Sequence, residues 1–292
     1  MRILVTGVNG QVGFEIVRSL SIYGEILAPV RSELDLTRLE AVNDYLQATQ
    51  PDVIVNAAAY TAVDKAETEQ DLAFRINAEL PAELAKYAQR NSAFLVHFSS
   101  DYVYPGSGDI SWKETDEPAP LSTYGSSKLA GDEAIISSKA NAVILRTSWV
   151  YSARGNNFMK TMLRLAKERK SLSVVADQVG APTAARLLAQ VATEFVAKRN
   201  EIESGVYHIA PKGETSWHGF ANKIFELSRQ LGEKLDIETV QAISTEEYPT
   251  PAKRPLNSRL NTNKIESELG IELPRWQSQL ELTLKEYFGR FN

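Results

Sequence analysis

Three side chains in the middle of the 292-residue chain have the types and the order needed to protonate a carbonyl as it is reduced: Ser100, Tyr124 and Lys128. Tyr124 and Lys128 belong to the segment Tyr124-Gly125-Ser126-Ser127-Lys128, whose i, i+4 spacing puts phenol and ammonium on one face of a helix. Hydride transfer to a ketone creates an alkoxide, and a tyrosine of pKa about 10 is a slow proton donor to it at neutral pH. Bringing that pKa to about 7 takes roughly 4 kcal/mol. A desolvated lysine beside an oxidised, cationic nicotinamide is able to supply it. Lys128 is therefore expected to lower the Tyr124 phenol while bonding the nicotinamide ribose, and Ser100 to hold the substrate carbonyl. The structural alternative is a Tyr124 packed as a core aromatic with Lys128 snorkelling to solvent.

The partner such residues need is a dinucleotide, and its signal lies at the N-terminus. Thr6-Gly7-Val8-Asn9-Gly10-Gln11-Val12-Gly13 follows an apolar run and opens a helical pattern. Gly7 suits a tight turn, Gly10 a close approach of backbone to pyrophosphate, and Gly13 tight packing of helix on strand. Gln11 and Val12 bring their N–H groups to the positive end of that helix. No Gly-Lys-Ser/Thr follows, which excludes a nucleoside-triphosphate P-loop.

The elements that must position these groups alternate short apolar runs with amphipathic segments, the pattern of a parallel sheet covered on both faces. Strands are expected at 3–5, 25–28, 52–56, 94–98 and 142–145, with helices at 12–20, 37–49, 80–89 and 124–136. Ser99-Ser100-Asp101 then sits just beyond a buried strand, at the end where a doubly wound sheet meets its ligands. Beyond Trp149 the alternation loosens into helices at 158–169 and 185–198 and strands at 173–175 and 205–209, and the last 80 or so residues are richer in Pro, Ser and Thr. The expected fold is an α/β, Rossmann-like doubly wound parallel sheet with a smaller C-terminal lobe. Residues 1–150 form the nucleotide-binding lobe, with returning segments near 172–210, and residues 151–292 mainly the substrate lobe.

Composition excludes competing chemistries. There is no cysteine, so disulfides, zinc–thiolate sites, iron–sulfur clusters and a thiol nucleophile drop out. His97, His208 and His218 are too scattered for a metal centre and read as core or surface residues. A net charge of −5, with no run of basic residues, argues against nucleic acid or an anionic membrane as partner. No apolar run approaches a membrane span, and Met1–Gly7 is too short for a secretory core, so the cytoplasm is the expected address.

The residues after the second strand bear on the cofactor. Arg31 with Ser32 suits a ribose 2′-phosphate, where an acidic residue would hold a free 2′-hydroxyl; this favours NADPH, with NADH use left open.

The TGxxGxxG spacing, the strand-end serine and the YxxxK segment together resemble the extended short-chain dehydrogenase/reductase family. Within it, Asn56–Glu67, Ser99–Gly106, Arg146–Tyr151, Gly155–Met162, Asp177–Thr183 and Arg254–Leu260 are similar to the dTDP-4-dehydrorhamnose reductases over essentially the whole chain. The resemblance implies reduction of a 4-keto nucleotide sugar as the last step of dTDP-L-rhamnose supply for bacterial surface polysaccharide. It implies Tyr124 as proton donor, Lys128 as its partner and Ser100 as the assisting hydroxyl. It also places Asp35 and Leu36 at the adenine, Ala57, Ala58, Ala59 and Tyr60 along the adenine ribose, Asp101 and Trp149 at the sugar, and Asn156, Asn157 and Arg254 at the substrate pyrophosphate.

Two departures stand out. The usual Ser-Thr-Asp is here Ser99-Ser100-Asp101, which keeps a hydroxyl. Some members dimerise through a metal held by acidic residues, but here Arg186 and Gln190 stand where partners of Glu15 would be, so a monomer is expected. Three rivals are weighed against this reading. A 4,6-dehydratase needs Asp-Glu where this chain has Asp101-Tyr102. A 4-epimerase would share Tyr124 and Lys128, but Arg31 and the family segments argue against it. A regulatory subunit resembling the reductase would lose the Tyr and Lys that are present here.

Overall fold

The computed structural model describes residues 1–290 and gathers the apolar runs of the N-terminal half into one parallel sheet. The chain begins β1 (Arg2–Thr6), α1 (Gln11–Leu20), β2 (Glu25–Leu27), α2 (Leu39–Thr49) and β3 (Val53–Asn56). It continues through α3 (Leu80–Asn91), β4 (Phe94–Ser100), α4 (Thr123–Ser138), β5 (Ala142–Thr147), α5 (Ala185–Ala197) and β6 (Gly205–His208). Strand order across the sheet is β2-β1-β3-β4-β5-β6, every neighbouring pair parallel. The order reverses at β1, so the connections leaving β1 and β3 part to opposite sides and open a crevice at their C-terminal ends. This is the doubly wound α/β architecture expected.

Alternate residues serve the two faces, as the two-residue repeat of a strand requires. Ile3, Val5, Val53, Val55, Phe94 and Val96 join a cluster with Ile16 and Leu20 of α1 and Leu188 and Val191 of α5. Leu4, Ile54, Leu95 and Ile144 join the other, with Val42 and Leu46 of α2, Leu84 and Ala88 of α3, and Ile135 of α4. Burial on both faces explains why these strands read as continuous apolar runs.

Helix α2 starts two residues later than its pattern predicts. The Asp35 carboxylate accepts from the Thr37 amide at 3.0 Å and its hydroxyl at 2.8 Å, holding those residues in a turn. Between β3 and α3 lie short helices at Val63–Ala66 and Gln70–Phe74, then a π-helical turn at Arg75–Glu79 that runs into α3. They are too short to show a hydrophobic period. The wide turn carries Asn77 inward: its Oδ1 accepts from the Tyr60 amide at 2.8 Å, and its Nδ2 donates to the Tyr60 carbonyl and the Ser127 hydroxyl, each at 3.0 Å. Asn77 thereby ties the loop after β3 to α4.

Of the segment 172–210, α5 and β6 return to the main sheet. Ser171–Val175 instead pairs in parallel with Thr239–Ile243 in a separate two-stranded ladder. Helix Trp217–Gln230 packs on this second ladder, and helices Phe158–Glu168 and Trp276–Phe288 pack on that helix. The first apolar cluster runs straight into them through Met159, Leu163, Phe220, Ile224, Trp276 and Leu280. Among the described residues, no helix is long and apolar enough to cross a membrane.

Candidate active site

Gly7 follows β1 with φ +68°, and a Cβ on Gly13 would stand 2.2 Å from the Gly7 carbonyl oxygen. Only glycine fits at both positions, so α1 is pressed against the loop that precedes it. Gly10 is the N-cap of α1 and brings no capping side chain, and the first turn holds no acid. The leading amides of α1 are left free to bind an anion, helped by the helix dipole.

From that loop opens a cleft of about 820 Å³, within the range of roughly 300–1,000 Å³ usual for small-molecule sites. Its floor near α1 is formed by Gly7, Gly10, Gln11 and Val12. Arg31, Asp35 and Leu36 line one end, Ala57, Ala58, Ala59 and Tyr60 the side beyond β3, and Ser100, Asp101, Tyr124 and Lys128 the other end with Trp149 and Asn156. These residues fit an NADPH-sized ligand: free helix amides for a pyrophosphate, small alanines for close passage, and an exposed arginine at the far end.

Three expected site residues take other places. Gly13 lies behind the loop. Asn157 caps the helix Phe158–Glu168, accepting from the Lys160 amide at 3.1 Å, and its amide donates to Gln11 Oε1 and the Ser152 carbonyl, each at 2.8 Å. It braces Gln11 rather than facing the cleft. Arg254 donates to Asp64 at 2.8 Å and lies beside Tyr102, outside the cleft lining.

Helix α4 delivers Tyr124 and Lys128. Ser122 caps it by accepting from the Gly125 amide at 3.2 Å, so the first turn begins with Tyr124 at the cleft. Its buried side carries Ser127, Lys128 and Asp132, with Ile135 as its one large apolar residue. Asp132 accepts from Arg146 of β5 at 2.9 Å with both side chains almost fully buried, and Arg146 also donates to the Tyr104 hydroxyl at 2.8 Å. This ion pair bolts the helix to the sheet one turn beyond Lys128.

The electrostatics differ from the simple expectation that Lys128 lowers Tyr124. Burial pushes the Tyr124 phenol well above its ordinary value, and the strongest opposing influence is the Ser100 hydroxyl. Burial also pulls the Lys128 ammonium down to about 8, against the pull of Asp132. In the ligand-free chain both groups are desolvated, and desolvation favours the neutral phenol and the neutral amine alike. Burial raises Asp101 to about 6, opposed by the hydroxyls of Ser258 and Ser100; Ser100 donates to its Oδ1 at 3.1 Å. Tyr102 meets the Tyr124 ring edge-on at 5.4 Å.

Trp149 has φ +52°, a strained value for a bulky residue. Its ring stacks on Trp217 with centroids 3.7 Å apart, and the Trp217 indole donates to Gln178 at 3.1 Å. Packing holds an aromatic wall at that end of the cleft. Trp217 and Asn77 carried no signal in the sequence, because each acts through a partner far along the chain. The Glu15 carboxyl is raised by burial, with Arg186 opposing, and Arg186 donates to Glu286. A cation already fills that acidic corner.

The model of the RmlD substrate binding domain family matches residues 1–288. The dTDP-4-dehydrorhamnose reductase of Salmonella typhimurium is 47% identical over 294 residues, covering 99% of this chain and 98% of that protein. Among solved structures, the dTDP-4-dehydrorhamnose reductase of Clostridium acetobutylicum superposes with TM-score 0.91 at 39% identity, covering 98% of this chain and 99% of that one. That of Bacillus anthracis, in complex with NADP, superposes with TM-score 0.91 at 37% identity and the same coverage.

Proposed function

We infer that this chain, which belongs to the RmlD substrate binding domain family of dTDP-4-dehydrorhamnose reductases, is an NADPH-dependent oxidoreductase that reduces the 4-keto group of dTDP-4-dehydro-L-rhamnose to dTDP-L-rhamnose. The observation that carries the reading is the convergence of Ser100, Tyr124 and Lys128 in a cleft that begins at an uncapped helix N-terminus behind a glycine loop.

NADPH, when bound, supplies the hydride that adds to the sugar carbonyl carbon. Tyr124 gives its phenolic proton to the carbonyl oxygen as the carbon–oxygen double bond is lost, so the ketone becomes an alcohol. Ser100 turns its single hydroxyl proton from Asp101 Oδ1 to that same oxygen. Lys128 stabilises the tyrosinate left behind. Trp149 presents an apolar face to the deoxysugar, and α1 amides, Ala57–Ala59 and Tyr60 hold the dinucleotide. Asn156 serves the substrate diphosphate, while Asn157 braces Gln11 beside the dinucleotide and Arg254, held by Asp64, supports the Tyr102 loop. The division of labour we propose assigns residues 1–150 with α5 and β6 to the cofactor and the rest to the sugar. The enzyme acts in the cytoplasm as a monomer, a reading supported by the Arg186–Glu286 pair in place of a metal-binding acid cluster.

The test is addition of enzymatically made dTDP-4-dehydro-L-rhamnose and NADPH, following loss of reduced-nicotinamide absorbance. Absence of oxidation above background overturns the reading. Arg31→Asp is expected to shift the NADPH/NADH ratio of kcat/KM toward NADH by roughly ten- to a hundredfold, the worth of a charge-assisted hydrogen bond. An unchanged ratio would mean that Arg31 does not read the 2′-phosphate.

A further inference from the structure

Behind Lys128 lies a row of polar side chains with no role in the mechanism above. Thr6, Asn56 and His97 are register partners on β1, β3 and β4, side by side across three strands. All three are buried, His97 and Asn56 completely. The Thr6 hydroxyl donates to Asn56 Oδ1 at 2.6 Å, Asn56 Nδ2 lies 3.0 Å from His97 Nδ1, and His97 Nε2 lies 3.3 Å from Lys128 Nζ. Lys128 also donates to the Phe98 carbonyl at 2.6 Å.

Counting donors gives the row a purpose. With the Asn56 amide as it stands, its N–H is donated to Nδ1, so the one ring proton of a neutral imidazole sits on Nε2 and faces Lys128. That arrangement suits the neutral amine, whose lone pair accepts. An ammonium needs the opposite: Nε2 must accept, the ring proton moves to Nδ1, and the Asn56 amide turns to receive it. Thr6 satisfies either orientation, because a hydroxyl both donates and accepts.

We propose that His97 is a positioning residue for Lys128, holding its nitrogen against β4 in either protonation state by exchanging ring tautomers with a turn of the Asn56 amide. With Phe98 and His97 engaged, one N–H of the ammonium is left for the cleft. The aim of Lys128 is then unchanged when the charge near Tyr124 changes during turnover. The titratable groups facing Lys128 are His97 from β4, with Tyr124 and Asp132 on its own helix; Asp132 is in turn paired with Arg146 of β5. Charge on Lys128 in turn disfavours charge on His97, which burial keeps neutral.

The inference rests on the reading of this cleft as a reductase site, but its first test does not. In ligand-free protein labelled with 15N-histidine, the His97 ring nitrogens should exchange their pyrrole-like and pyridine-like shifts as pH passes through the Lys128 titration, followed by its 13Cε shift. A tautomer constant through that titration overturns the proposal even if the enzyme is active. The second test compares variants: Gln reaches where Nε2 sits and can turn its amide, whereas Asn reaches only to Nδ1. His97→Asn should lower kcat roughly ten- to a hundredfold and displace the Lys128 titration, with the sugar KM within about twofold; His97→Gln should restore both. Equal rates and equal Lys128 titrations in the two variants would refute it. If only wild-type reduction of the sugar fails, the substrate assignment falls and the tautomer result stands.

Discussion

Tyr124→Phe is expected to lower kcat by roughly a hundred- to ten-thousandfold, the usual worth of a positioned general acid. NADPH affinity should change little, since the ring still fills its place beside Tyr102 at 5.4 Å. The measurement is single-turnover reduction with saturating sugar and cofactor, with NADPH binding followed separately by nicotinamide fluorescence. A rate within a few-fold of wild type would remove Tyr124 from the chemistry. The desolvated phenol sharpens the expectation: burial favours the proton on Tyr124. Transfer is expected to accompany growth of charge on the substrate oxygen. A solvent isotope effect on the chemical step is then expected in the wild type and lost in the variant.

Arg146→Met should cost about 3–5 kcal/mol of stability, because it leaves the Asp132 carboxylate buried without its hydrogen-bonded counter-charge. For a chain of this length that is on the order of a 10 °C fall in melting temperature. The cause is the orphaned charge rather than the lost attraction, so the double change Asp132→Leu, Arg146→Met should recover more than half of the loss. Denaturant titration of the wild type, both single variants and the pair closes the cycle. A double variant as unstable as the first single would show that the cost lies in packing against Tyr104, where the guanidinium stacks 5.2 Å from the ring centroid.

The parts legible in the sequence were those that repeat or cluster locally. β1, β3, β4 and β5 are apolar on both faces and announced themselves by composition, and the glycine loop by its spacing. Helix α4 was found for another reason. Its buried face is Gly125, Ser127, Lys128, Gly131, Asp132 and Ile135, a single large apolar residue that sets no hydrophobic period, and the Tyr–Lys spacing marked it. What stayed hidden depends on contacts across the chain. Arg254 looks like a phosphate ligand until Asp64, 190 residues away, is seen to hold it. Asn157 looks like a ligand until its amide is seen on Gln11. His97 looks like an ordinary core residue until α4 brings Lys128 over it.

The apolar cluster that continues from the sheet into the C-terminal helices limits how this molecule can move. Two jaws swinging about a hinge would have to part inside that cluster. Baring even about 400 Å² of it would cost ~10 kcal/mol, as much as the whole stability of a typical protein. Ligands are therefore expected to enter the cleft without a large rigid-body swing. Adjustment to the substrate is confined to side chains and rim loops, so turnover is insensitive to solvent viscosity wherever those loops move faster than the chemical step.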